Sequence, residues 1–169
     1  MAILEEILNR RTIASYEPAP VEKRKLERIL EAGRLAPSAK NRQEWRFVVI
    51  RKKALREQIK AAAYGDERVG QAPVLIAVCT TNVEYVMPNG QQAYPVDLGI
   101  AAAFMSLQAV REGLGVSFLT TFDEPKVKEL LTMPHAMRVV LLLLLGRPAS
   151  LPEARPRKPL GSIVSYDHW

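Results

Sequence analysis

"VDLGIAAAFMSLQAVRE", residues 96–112, is small and apolar on almost every side. A helix with one polar face lies on a surface, whereas one apolar nearly all round is enclosed by other elements. The stretch therefore predicts a central helix, stopped by Gly113 and Gly115. The flanking segments supply what encloses it. Downstream, "VSFLTTF" (116–122) and "RVVLLLLLG" (138–146) read as strands, separated by a helix "EPKVKELL" (124–131) with Asp123 as N-cap. Upstream, "VLIAVCT" (74–80) is a continuous apolar run after Pro73, the mark of a strand buried on both faces, and "WRFVVI" (45–50) is rich in aromatic and β-branched residues.

Helical spacing recurs at Ile3, Leu4, Ile7 and Leu8. A second helix is predicted with Pro20 in its first turn, Leu26, Ile29 and Leu30 on one face and Pro37 beyond its end. A third is centred on "ALREQIKAAA" (54–63), and "MPNGQQAYP" (87–95) reads as a loop. Few tight hairpin signals separate the strands. The pattern implies α+β or α/β, with a small central sheet covered by helices.

The chain of 169 residues predicts a single domain, and 48% hydrophobic with 25% charged residues is ordinary for a globular protein. Glu5 and Glu6 interrupt the N-terminal apolar stretch, and the longest apolar run, Val139–Leu145, falls far short of the roughly 20 residues of a membrane span. A soluble, cytoplasmic protein with no membrane partner is expected. The lone Cys79 excludes an internal disulfide and, mid-strand, reads as a small buried hydrophobe; His135 and His168 are too few for a histidine-rich metal site. A net charge of +6 suits acidic partners, either nucleic acid or phosphorylated ligands. The absence of a basic tract interleaved with aromatics argues against nucleic acid. Residues 147–169 hold four prolines, Pro148, Pro152, Pro156 and Pro159, yet end on "IVSYDHW", too apolar for a free tail. This arm lies over its own core or embraces a second subunit, and periodicity does not choose.

Two stretches carry candidate chemistry. In "NRRTIASYEP" (9–18), Arg10 and Arg11 stand where a helix runs out, with Thr12 behind them. Cations complement a helix C-terminus, and two forked guanidiniums beside a hydroxyl also match a phosphate dianion. In "APSAKNRQEWRF" (36–47), Pro37, Ser38, Asn41 and Gln43 form either a helix-terminating turn or a hydrogen-bonding edge for a planar heterocycle. "GLGVSFL" lacks the third glycine of a dinucleotide fingerprint, and Gly113 ends a helix rather than opening one. No acid–base constellation stands out. An enzyme built this way must take its chemistry from a cofactor.

In colinear order these segments resemble the nitroreductase family of FMN-dependent oxidoreductases. "NRRTIASYEP" is similar to the family's opening R-R-S-x-R, "APSAKNRQEWRFVVI" to its A-P-S-x-x-N-x-Q-P-W, the stretch from "YPVDLG" through "GLGVSFLTTFDEP" to its D-x-G, G-L-G and F-D segments, and "GRP" with "PRKPLGSIV" to its closing motifs. The resemblance implies an α+β nitroreductase-like fold with a small, mainly antiparallel sheet flanked by helices, and a C-terminal extension, 147–169, packed on a partner subunit. It implies a homodimer with FMN at the interface. Arg10, Arg11 and Thr12, joined by Arg157 and Lys158, would face the FMN phosphate and ribityl end; Pro37, Ser38, Ala39 and Asn41 would come from the partner, along the isoalloxazine. Leu119, Thr120 and Thr121 would lie over the ring, with the Thr120 N–H near N5. The family uses NADH or NADPH in a ping-pong cycle and reduces nitroaromatics, quinones or related small acceptors. No catalytic side chain and no metal are implied.

The sequence departs from that pattern in places. Ala14 stands where the family usually has Arg or Lys near the flavin N1 and O2, Glu44 replaces the proline of Q-P-W, and Thr120 and Thr121 occupy positions that often hold Glu or Gly. The segment from Val83 to Tyr94 is shorter than the substrate-covering insertion of larger members, which implies a more open cleft. Ala14 motivates the alternative of an FMN-binding carrier or sensor with little turnover.

Overall fold

A computed structural model describes residues 3–169. Among them, four strands form a sheet: β1 (Trp45–Ile50), β2 (Val74–Thr80), β3 (Gly115–Leu119) and β4 (Arg138–Gly146), in the order β1-β2-β4-β3 with every neighbouring pair antiparallel. The helices are α1 (Glu5–Asn9), α2 (Lys23–Arg34), α3 (Lys53–Ala62), α4 (Glu67–Gln71), α5 (Ala93–Arg111) and α6 (Glu124–Leu130). The architecture is α+β, as the resemblance implied.

Alternation along β2 explains its complete burial. Val74, Ile76 and Val78 join Leu26 and Ile29 of α2 and Leu98, Ala101 and Met105 of α5 in one apolar layer. Leu75, Ala77 and Cys79 turn the other way, against Ile59 of α3, Val69 of α4 and Val127 of α6. A continuous apolar run here means a sheet covered on both faces, without the parallel pairing that usually accompanies such cover. Helices α2 and α5 approach closely because Gly33 has no side chain; a Cβ there would meet Met105 Sδ at 2.8 Å.

Helix α5 is central, as predicted. Its 19 residues are long and apolar enough to cross a membrane by length and composition, but Leu98, Ala101, Ala102, Met105 and Ala109 are enclosed against the sheet. It ends as a Schellman turn: Gly113 at φ 72° donates its N–H to Val110 O at 2.9 Å, and Leu114 N–H reaches Ala109 O at 2.8 Å. Gly115 opens β3 rather than completing the stop, and β3 ends at Leu119, before the two threonines. Helix α5 begins at Ala93, inside the stretch read as a loop. Helix α2 begins at Lys23 with Glu22 as N-cap, so Pro20 lies before the helix and not in its first turn. The short α4, capped by Asp66 accepting from Arg68 N–H, was not anticipated.

Three apolar surfaces find no cover among the described residues. Ile3 and Leu4, just ahead of α1, and Ile7 and Leu8 within it are all exposed. On α5, Val96 and Phe104 point away from the core. From Ala149 to Trp169 every residue is exposed, including Leu160, Ile163, Tyr166 and Trp169. The arm does not lie over its own core.

Candidate functional site

The segment behind α1 is stitched into the fold by its apolar residues. Ile13 and Tyr16 are buried, and the Tyr16 hydroxyl donates to Leu144 O at 2.9 Å. Burial raises the Tyr16 hydroxyl to about 12. Ile13 lies directly on β3: its carbonyl accepts the Ser117 hydroxyl, and Thr12 bridges Val116 in parallel. Only glycine permits this approach, since a Cβ on Gly115 would fall 2.3 Å from Ile13 Cγ1. On its other side the segment pairs with the root of the C-terminal arm, through a Tyr16–Pro148 bridge, Glu17 N–H to Arg147 O at 2.9 Å and Ala149 N–H to Ser15 O at 3.0 Å.

That pairing brings the arm back over the arginines. Arg10, Arg11, Thr12 and Ala14 line a groove of about 360 Å³ together with Pro152, Arg155 and Arg157; Glu153 is its one acidic member. Arg11 also serves the helix end, donating from Nη1 to Leu8 O at 2.7 Å and Arg10 O at 3.0 Å. Arg11 thus caps the helix end, as a cation at a C-terminus does, and lines the groove as well. Among the described residues the Arg10 guanidinium makes no hydrogen bond or ion pair. Lys158 is exposed beside the groove and does not line it. A phosphate-tailed group fits this donor set: forked cations from both ends of the chain, a hydroxyl and an open groove.

The Pro37–Asn41 segment sits elsewhere. It precedes β1, and Asp97 near the start of α5 anchors it by accepting the Ala39 N–H at 3.0 Å, while Ser38 Oγ accepts the Gln43 N–H at 3.0 Å. Asp97 is only 9% exposed. Lys40, Asn41 and Gln43 hold φ of 53°, 55° and 54°, left-handed values that cost side-chain-bearing residues energy and gather at functional sites. Strand β1 is one edge of the sheet and β3 the other, so this turn and the arginine groove are set apart by the sheet's whole width, three strand spacings or roughly 14 Å, and by their offset along the strands, Trp45 aligning through Thr80 with Arg138 and Thr12 through Val116 with Leu145. One chain does not bring the two sets together.

Leu119 is buried among Ile13, Val127 and Leu142, so only its backbone is available, whereas Thr120 and Thr121 are exposed just past the end of β3. Cys79 is fully buried, and desolvation pushes its thiol up to about 12, which removes it as a nucleophile. The groove's dependence on Gly115 and on the arm root is not visible in the sequence, because both contacts join residues that lie far apart along the chain, Ile13 with Gly115 and residues 15–17 with 147–149. Arg155, which also lines the groove, is not among the residues the sequence points to.

A family model described as the nitroreductase family matches residues 7–68 and 60–147. The chain is 30% identical over 190 residues to an NADH dehydrogenase of Thermus thermophilus, covering 94% of this chain and 93% of that protein. It is 26% identical over 178 residues to an NAD(P)H FMN reductase of Bacillus subtilis, covering 95% and 72%. The solved structure of a nitroreductase family protein from Clostridium difficile superposes with a TM-score of 0.88 at 30% identity, over 100% of both chains. With fold, motif order and sequence in agreement across the chain, it belongs to the nitroreductase family.

Proposed function

We propose that this protein is an FMN-dependent NAD(P)H oxidoreductase that reduces nitroaromatic, quinone or related small acceptors in a ping-pong cycle, as a homodimer of single-domain chains in the cytoplasm. The observation that carries the reading is the groove in which Arg10, Arg11 and Thr12 meet Arg157 from the far end of the chain. Family membership and the FMN reductase among its relatives support it.

In this reading Arg10, Arg11, Thr12 and Arg157, with Lys158 beside them, hold the phosphate and ribityl end. Pro37, Ser38, Ala39 and Asn41 of a second copy line the ring, and the backbone of Leu119, Thr120 and Thr121 covers it. FMN, when bound, supplies the redox chemistry between NADH or NADPH and the acceptor. The chain binds, orients and excludes water; no side chain is assigned a proton transfer, and no metal is invoked. The uncovered faces of α1, α5 and the arm support the homodimer, since apolar area of that extent is ordinarily covered by a partner.

The visible spectrum of the purified protein tests the reading: flavin bands are expected, and failure to copurify or take up FMN would sink it. A carrier with little turnover is the second reading, favoured by Ala14, which leaves its place in the groove without a cation. Anaerobic mixing with NADH or NADPH separates the two. Bleaching within seconds identifies the enzyme, and a persistent oxidised spectrum the carrier.

A further inference from the structure

The short segment between β2 and α5 is tightly built. The Asn82 side-chain oxygen accepts the N–H groups of Glu84 and Tyr85, both at 3.1 Å, and the Asn82 backbone N–H donates to Thr80 Oγ1 at 3.1 Å. Tyr85 O accepts the N–H of Ala93, the first residue of α5, at 3.1 Å. Beyond it, Val86 bridges Gln92, and Met87 N–H reaches Gln91 O at 2.7 Å. Tyr85 is thus held from both sides of its backbone. Its ring lies under two cations of the strained turn, with the Arg42 guanidinium carbon 4.1 Å and Lys40 Nζ 5.3 Å from the ring centre.

Lys40 is one of the left-handed residues of that turn, and Arg42 separates the other two, Asn41 and Gln43. The aromatic ring therefore grips the turn where its backbone resists its own conformation. Asp97 grips it from α5 through Ala39, so both supports converge on the start of one helix. We propose that the 82–92 hairpin is a brace rather than a lid, and that Tyr85 is a positioning residue: through Lys40 and Arg42 it keeps Ser38–Asn41 in the shape that meets the flavin ring of the other copy. This rests on the proposed function for the flavin, while the brace itself is a property of the chain alone.

The test uses Tyr85→Leu and Tyr85→Phe in the full chain, with two readouts. In FMN-free protein, amide exchange across 38–44 is expected to accelerate about 10-fold in Y85L, within the range for losing two exposed cation–π contacts, and to stay unchanged in Y85F, which keeps the ring face. In titrations with FMN, Y85L is expected to weaken binding by a comparable factor with a melting temperature lowered by only about 5 °C or less, and Y85F to match the parent in both. Equal exchange in Y85L and the parent, or equal loss in Y85F and Y85L, overturns the brace. Accelerated exchange with undiminished FMN affinity overturns its role towards the flavin. A parent that binds no FMN refutes the proposed function instead, and exchange still decides the brace.

Discussion

The two halves of the candidate site are secured by opposite means. The arginine half is fixed by packing: Ile13 is 1% exposed, presses on Gly115, and drags Arg10 to Ala14 into register beside β3. The serine half is fixed by directed polar contacts, Asp97 to Ala39, Ser38 to Gln43 and Tyr85 under two cations, with three left-handed residues held between them. A packed anchor is indifferent to most surface changes and intolerant of a single added methyl group. A hydrogen-bonded turn is the reverse, tolerant of volume and dependent on each acceptor.

The comparison can be broken most forcefully at Gly115. Gly115→Val is expected to cost about 3 kcal/mol, the upper part of the overpacking range, read as a lowered urea midpoint together with poor FMN retention. Next, Arg10→Ala should leave the fold untouched and weaken FMN binding about 10- to 100-fold, the loss of one charge-assisted partner of roughly 1.5–3 kcal/mol. Unchanged affinity would return Arg10 to the helix terminus. On the serine side, Asp97→Ala should cost about 1–2 kcal/mol in thermal unfolding because the Ala39 N–H loses its acceptor, whereas Asp97→Asn, which keeps an oxygen, should cost less than half of that.

The last effect is confined to alkaline pH. The Tyr16 hydroxyl is raised from 10.0 to about 12 by burial, so the native state keeps its proton where the unfolded chain releases it. Its contribution is present below pH 10 and lost as pH rises towards 12. Tyr16→Phe should flatten the fall in melting temperature over that window, and a slope identical to the parent's would detach the hydroxyl from the anchoring of the segment.

Much of the fold was legible because its strongest signals are local. "WRFVVI", "VLIAVCT" and "RVVLLLLLG" coincide with β1, β2 and β4 to the residue, since β-branched and continuous apolar runs have few alternatives in a covered sheet. Helix α4 was not legible: five residues with a charge pair and a glycine carry no periodicity. The antiparallel order came from motif resemblance, because both-face burial gives the same pattern in either direction. At the site, the double arginine and the amide-rich turn were visible as residue types. Their supports were not, because Gly115 against Ile13, the arm root against residues 15–17 and Tyr85 under Lys40 are meetings that no window of sequence contains.

The strand order itself has a kinetic and quantitative consequence. With the arginine groove at one edge and the serine turn at the other, a flavin clasped by both in the proposed homodimer would bridge two molecules, and its retention would become a function of protein concentration. On that proposal, dilution towards the subunit dissociation constant would shed cofactor and subunits together, and excess FMN would draw free chains into pairs, so that the yellow colour of the solution would double as a gauge of assembly.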